Sequence, residues 1–205
     1  MKTRSKALLL TLCAVVLVVA TVFGTMAYLT STDKVENTFT VGSVAITLDE
    51  LDITRTDGSR TDANAYHLMP GHEYIKDPTV HVDAVSEDSW IFVKVENGIA
   101  AFEAASSTEE GGYKNIGDQI TANGWTALTG VPGVYYKAYD KSAAGADLVV
   151  FGSFKMADNA NEVTGWGSIS AETTKVTVTA YAVQKDGFDT AKAAWDATFG
   201  KPTGN

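Results

Sequence analysis

The side chains of this sequence best suited to metal chemistry are its three histidines, His67, His72 and His81. A common zinc protease motif, H-E-x-x-H, places two histidines one helical turn apart with a glutamate as general base. His72 is followed by Glu73, but Lys76 stands where the second histidine of that motif would be. The local sequence therefore lacks the helical zinc motif.

A β-sheet can still bring distant histidines together. Such a site would use His67, His72 and His81 with Asp77 or Asp83 as a carboxylate ligand, so the three histidines are weak candidates for a metal site. The first two flank a predicted turn, and His81 falls on the polar face of a predicted strand. This placement favours ordinary surface roles, and we expect neither a metal nor another cofactor.

Nucleophilic catalysis has little support in the sequence. The one cysteine, Cys13, lies in an apolar N-terminal stretch, and no G-x-S-x-G motif is present. The Gly165–Ser170 segment, GWGSIS, is predicted to be a turn. We therefore expect a protein that is not an enzyme.

Two further groups of residues could bind a ligand. One is a cluster of acidic residues without the D-x-D-x-D-G spacing of a calcium loop, so it is predicted to be a solvated loop. Its members are Asp49, Glu50, Asp52, Asp57 and Asp62. Aromatic residues in strands more often belong to the core than to a sugar-binding platform; those considered are Tyr135, Tyr136, Tyr139 and Trp166.

The element pattern that must position these residues is mainly β. Apolar and polar residues alternate with a period of two, which is typical of half-buried strands. The first strand is predicted over Phe39–Leu48 with a β-bulge at Gly42-Ser43. Further strands are predicted at 79–85, 90–96, 134–139, 148–156 and 175–184, with 134–139 and 148–156 as hairpin partners.

Helices are predicted at two places. Ile99–Ala105 is alanine-rich and is predicted to form a short helix inside an insertion of about residues 99–130. Thr190 or Asp189 is predicted to cap a C-terminal helix, whose apolar stripe is Ala191, Ala194, Trp195 and Phe199. Many strands with few helices and no βαβ units predict a single antiparallel β-sandwich.

The first 27 residues have the pattern of a secretory signal peptide. Three cations precede the uncharged apolar segment Ala7–Phe23, and the small residues Thr25 and Ala27 occupy the −3 and −1 positions of a cleavage site. Cleavage would leave a secreted domain, residues 28–205, that begins at Tyr28. The alternative is an uncleaved membrane anchor.

The charge argues against nucleic acid as a partner. The full chain carries −9 at neutral pH, which becomes −12 when the three cations of residues 1–27 are removed. Nucleic-acid binding requires a basic surface.

The residues around the cleavage site, GTMAYLTSTDKVENTFTVGSVAITLDE, resemble the N-terminus of the TasA/CalY (camelysin) family, secreted proteins of Gram-positive bacteria. The residues that fit the family pattern are Gly24, Thr25, Ala27, Tyr28, Thr38, Phe39 and Gly42. The Pro70–Val82 segment, PGHEYIKDPTVHV, resembles a segment of clostridial-type members. Farther along, the chain is similar to the family only in its β-rich character.

The resemblance implies a jelly-roll-like fold, processing by a SipW-type signal peptidase, and assembly into extracellular matrix (biofilm) fibres at the cell surface. In that family the mature N-terminus is inserted as a donor strand into a neighbouring subunit. Here the donor would be residues 28–41, whose donor side chains are Tyr28, Leu29, Val35, Phe39 and Val41. The expected partners are further copies of the chain and other matrix proteins.

Three alternatives stay open at this point. From the residues alone, residues 28–41 fit equally well as the first strand of a monomer, although a free strand can also add to an open sheet edge. The family also includes camelysin, described as a cell-surface metalloendopeptidase. A monomeric surface binding module is the third possibility.

Overall fold

The structure is a computed structural model that describes residues 12–16, 43–170 and 174–200. The chain divides into two compact units, Met1–Val41 and Gly42–Asn205. In the first unit, residues 12–16 are helical. Every described strand lies in the second unit. None of the helices in the described ranges is both long enough and apolar enough to span a bilayer.

The second unit is mainly β, as the alternation predicts, and all of its strand pairs are antiparallel. In the described ranges the strands are β1 (Ile46–Leu51), β2 (Arg60–Thr61), β3 (Glu73–Ile75), β4 (Thr79–Val82), β5 (Ser89–Asn97), β6 (Thr126–Ala127), β7 (Val134–Tyr139), β8 (Ala146–Val149), β9 (Ser153–Lys155) and β10 (Val176–Gln184). They form a sheet of order β2-β1-β4-β8, a sheet of order β10-β5-β7-β6, and the pair β3-β9.

The helices described in the second unit are few and short. They are α1 (Ile116–Ala122), α2 (Ala191–Thr198) and 3₁₀ turns at Lys141–Ala143, Ala160–Glu162 and Trp166–Ser168. The predicted C-terminal helix is confirmed, with Thr190 as its N-cap: its side chain accepts a hydrogen bond from the Ala193 amide at 3.1 Å. The predicted apolar stripe of α2 packs into the core.

The helix predicted at Ile99–Ala105 is wrong. The segment forms turns, and its end is extended, with Glu103 bridged to Met156 and the Ala104 amide donating to the Lys155 carbonyl. Pairing with a neighbouring segment therefore overrides the helix propensity of the alanines. The helix of the predicted insertion is α1 instead.

The core consists of two clusters on opposite faces of β5. The first contains Val80 and Val82 of β4 together with Ile91, Val93 and Val95 of β5, so both four-stranded sheets contribute to it. The second includes Phe92 of β5 and residues of α2. Burial on both faces confirms the reading of β5 as a central strand.

The hairpin predicted between 134–139 and 148–156 is wrong. The second segment divides into β8, which pairs with β4, and β9, which pairs with β3. Between them Val150 and Phe151 are both buried, which interrupts the alternation. The left-handed conformations of Ala144 and Gly145, φ 51° and 101°, lie in the turn through which the chain passes from one sheet to the other.

Two predicted strands have different ends in the structure. The strand predicted at 79–85 ends at Val82, and Ala84 is exposed rather than inward, because Asp83 accepts the amide of Val85 and begins a turn. β1 starts at Ile46 and runs to Leu51; Phe39, Val41 and Gly42 of the predicted first strand and bulge lie outside the described residues.

Candidate functional site

The outer edge of β10 is the most prominent unpaired backbone of the described domain. β5 pairs with β10 along all nine of its residues, from Val176 opposite Asn97 to Gln184 opposite Ser89. Within residues 43–170 and 174–200, no strand pairs with the other edge of β10. A row of backbone N–H and C=O groups on such an edge is a template for another strand.

The sequence of β10 contains none of the features that usually protect an edge. Val176–Gln184 reads VTVTAYAVQ, without a charge, a proline or a glycine. Every second residue packs against the first core cluster and is only half-buried; these are Val176, Val178, Ala180 and Ala182. The strand is therefore apolar, regular and incompletely covered.

The neighbouring strand β1 is incompletely paired as well. β4 pairs with β1 on one side from Ile46 to Asp49, whereas β2 reaches the other side only at Glu50 and Leu51. Cα atoms of β1 and β10 approach within 8 Å. Ile46 and Leu48 are half-buried against the same core cluster as the inward row of β10. Two open edges thus lie beside each other.

A cavity of about 530 Å³ lies at the Val176 end of β10. Its wall contains Tyr66, Phe154 and Trp166, together with Ile99 and Val176. The rings of Tyr66 and Phe154 meet edge to face with centroids 5.2 Å apart. Burial raises the pKa of Tyr66, and the Glu50 carboxylate raises it further, so its hydroxyl remains neutral. The cavity can accept an apolar or aromatic side chain.

The described chain begins at the opposite end of the domain. The carbonyl of Ser43 accepts the amide of Glu87 at 3.1 Å, next to the end of β10, where the Lys185 amide donates to Asp88. β1 then runs toward Lys76, which lines the cavity and pairs with Glu50. β1 and β10 therefore run in opposite directions, and Ser43 lies at the end of the domain away from the cavity.

The predicted cleavage residues Thr25, Ala27 and Tyr28 lie outside the described residues. The same holds for the donor side chains, which are Tyr28, Leu29, Val35, Phe39 and Val41. What the structure adds is the edge of β10 that no described strand pairs with, which sequence reasoning had missed. The charge-free alternation of β10 was the available signal, but an edge strand cannot be distinguished from an interior one by its own sequence.

The three histidines have separate environments. His67 lines the cavity, His72 contacts the Pro70 carbonyl through Nδ1 at 3.1 Å, and His81 lies in β4 between two carboxylates. Among the described residues, no group of three or more histidine, cysteine, aspartate or glutamate side chains is arranged to hold a metal ion.

The acidic group predicted to be a solvated loop is in fact largely paired. Glu50 is buried and accepts hydrogen bonds from Lys76 and Asn64. Asp49 pairs with Arg60 and His81. Toward the hairpin tip, Asp57 pairs with Arg55, and this ion pair lowers the pKa of Asp57.

The four aromatic residues considered for a sugar platform do not form one surface. Tyr139 is buried in the first cluster, whereas Tyr136 packs against the second and meets Trp90 edge to face. Trp166 packs against Phe102 near the cavity. These positions favour core and cross-strand roles for the aromatics.

Comparisons with models of known protein families, with curated proteins and with solved structures found no match for this chain.

Proposed function

We propose that this protein is a secreted structural subunit of extracellular matrix (biofilm) fibres, without enzymatic activity. Its signal peptide, residues 1–27, is removed by a SipW-type signal peptidase after Ala27. The released segment 28–41 then pairs as a donor strand with the open edge of β10 in a second copy. The observation that carries this proposal is the nine-residue edge of β10, which no strand of the described residues pairs with and whose sequence carries no charge or proline.

A single jelly-roll-like β-sandwich is the architecture we propose for residues 28–205. The two four-stranded sheets would be its layers, because both place side chains in the first core cluster. The donated strand would pair with the open edge of β10. It would extend the sheet of β10 and cover the half-buried row of Val176, Val178 and Ala180.

The direction of the strands favours exchange between copies over insertion into the same domain. A donor strand in its own domain must end near Ser43, at the Gln184 end, and so runs parallel to β10 before reversing into β1. A strand donated from a neighbour enters at the Val176 end and runs antiparallel to β10. Antiparallel pairs are slightly more stable per residue.

Exchange of this kind needs no reversal of the chain at Gly42. The donated strand continues straight into β1 of its own domain, and the next copy does the same. Such a head-to-tail contact does not close on itself and produces an open filament. The signal peptide prevents this while it is present, because the donor end remains tethered.

The side chains of the donor fit the acceptor in this direction. Val35, Phe39 and Val41 have the same parity and would face the core between the sheets. Phe39 and Val41 are at the end of the donor next to its own domain, which in this direction lies beside Val176 and the aromatic-lined cavity. Each fully buried side chain of this size contributes about 1.5–3 kcal/mol, in addition to the backbone hydrogen bonds.

The test separates donor from acceptor defects. Phe39→Ser weakens the proposed donor, and Thr38→Ser is its matched control. Val178→Lys places a charge in the half-buried row of β10, and Thr177→Lys, on the exposed face of the same strand, is its control. We expect F39S and V178K to abolish filaments, while T38S and T177K retain them. Circular dichroism and thermal unfolding establish that each variant is folded.

Mixing a donor-deficient chain with an acceptor-deficient chain tests both roles at once. A chain lacking residues 28–41 can accept but not donate, and V178K can donate but not accept. We expect each to be monomeric alone and the mixture to form a 1:1 complex by light scattering. Filaments formed by V178K would contradict β10 as the acceptor, and filaments formed by the truncated chain would contradict residues 28–41 as the donor.

The camelysin-type metalloendopeptidase and the monomeric binding module gain no support from the arrangement of the described residues. Cleavage of casein that EDTA stops and that His67→Ala, His72→Ala or His81→Ala removes would favour the protease. Failure to assemble at any concentration, with a glycan bound through Trp166, would favour the binding module.

A further inference from the structure

His81 lies at the centre of a charged network on the sheet β2-β1-β4-β8. It occupies the middle of β4, with Thr47 of β1 opposite it on one side and Asp147 of β8 on the other. Its Nδ1 is 2.6 Å from Oδ1 of Asp147, and its Nε2 is 2.9 Å from Oδ1 of Asp49 on β1. One imidazole therefore bridges the two strands that flank β4.

Two carboxylates on the two ring nitrogens require two protons on the ring. A carboxylate can only accept hydrogen bonds, and a neutral imidazole has a single N–H to donate. Loss of one proton would leave a ring nitrogen lone pair directed at a carboxylate oxygen within hydrogen-bond distance. The geometry therefore fits the imidazolium form and opposes the neutral form.

The charged groups around the bridge are unequally anchored. Arg60 of β2 also pairs with Asp49, and its Nη1 is 3.0 Å from Oδ2 of Asp77, just before β4. On the β8 side, the Asp147 side chain is 75% exposed. The bridge is thus held firmly on the β1 side and loosely on the β8 side.

We propose that His81 is a pH-sensitive latch, which holds the edge strand β8 on its sheet when the imidazole is doubly protonated and releases it when the imidazole is neutral. This inference goes beyond the proposed function and does not depend on fibre formation. A neutral ring keeps one N–H, and the contact that is lost is the one to Asp147, because water can replace the imidazole at that exposed carboxylate, whereas Asp49 is only 27% exposed.

The direction of the pH effect follows from the two carboxylates. Hydrogen bonds from His81 to Asp49 and to Asp147 raise the pKa of His81 above 6.5. The stabilisation is fully present below the unfolded-state value near 6.5 and disappears as pH rises through the higher folded-state value. The contact between His81 and Asp49 also persists to low pH. Burial opposes the ionisation of Asp49, but hydrogen bonds from Arg60 and His81 keep the pKa of Asp49 below 3.8.

The experiment is urea unfolding, from pH 5 to pH 9, of the chain that begins at Tyr28, at a protein concentration at which light scattering shows only monomer. We expect the folding equilibrium constant to fall about tenfold for each unit by which the folded-state pKa exceeds 6.5. His81→Gln should remove this fall, whereas His72→Gln, a histidine outside the network, should retain it. A slope in H81Q equal to that of the wild type would overturn the latch.

Amide exchange distinguishes a latch from a general effect on stability. With intrinsic exchange rates corrected for pH, amides of Ala146–Val149 should lose protection above the folded-state pKa of His81, while those of β5 keep theirs. Asp147→Asn should expose β8 already at pH 5 and leave Asp49 paired with Arg60. Equal protection of β8 in wild type and D147N at pH 5 would contradict the assignment of the loose contact.

Discussion

At the scale of single residues, the domain depends on satisfying buried polar groups. Among the described residues, every buried side-chain nitrogen or oxygen has a hydrogen-bond partner. The most deeply buried charge is Glu50, with 4% of its side chain exposed, and its partner Lys76 is 12% exposed. Pairs of this kind are costly to break, because the remaining charge is left buried.

Lys76→Met should therefore destabilise the domain strongly. The Glu50 carboxylate would keep the Asn64 amide as a donor but lose its cation, so we expect the free energy of unfolding to fall by about 3–5 kcal/mol. The measurement is urea unfolding at neutral pH.

The control is Lys94→Met, which breaks an exposed, solvent-screened pair with Glu96 and should lower stability far less than Lys76→Met. The double change Glu50→Gln with Lys76→Met should recover part of the loss, since no uncompensated charge remains. A K76M loss no greater than that of K94M would contradict the buried-pair assignment.

At the scale of elements, the sequence predicts best where a local pattern and burial agree. β5 is apolar on both faces and is a central strand, and α2 has a capping residue, a spaced apolar stripe and a following glycine. Residues 140–145 show where a local pattern is insufficient. A turn between two predicted strands has the same sequence signals whether the second strand pairs with the first or joins the other sheet.

The candidate site was less predictable than the fold for the same reason. The bridge at His81 joins residues separated by 32 and 66 positions, and no local pattern marks such pairs. The open edge of β10 depends on which strand lies outermost, which is a property of the assembled sheet. By contrast, residues 28–41 are continuous in sequence, and the proposal that they act as a donor strand rests on their alternation together with the resemblance to the TasA/CalY family.

Thr190→Ala should weaken α2 at its start. The Thr190 side chain accepts from the Ala193 amide, and removing such a cap costs about 1 kcal/mol. Since α2 covers Phe92 with Trp195, we expect the loss to appear in the global unfolding of the domain as a lower denaturant midpoint. Thr190→Ser retains the hydroxyl and should behave nearly as the wild type; an equal loss in both variants would show that the methyl group, not the cap, matters.

At the scale of the whole molecule, the proposed assembly should depend on charge. Without residues 1–27 the chain carries −12, so its copies repel one another at neutral pH, and this repulsion decreases as carboxylates are protonated. We therefore expect filaments to form faster at pH 5 than at pH 8, with salt reducing the difference by screening.

The most direct test of the account is negative-stain microscopy of two purified chains, one beginning at Tyr28 and one at Ser43, at equal high concentration and pH 5. We predict regular filaments from the first and monomers from the second, with the two domains equally stable to heat. Filaments of the same form from the chain that begins at Ser43 would contradict the central claim that residues 28–41 join one subunit to the next.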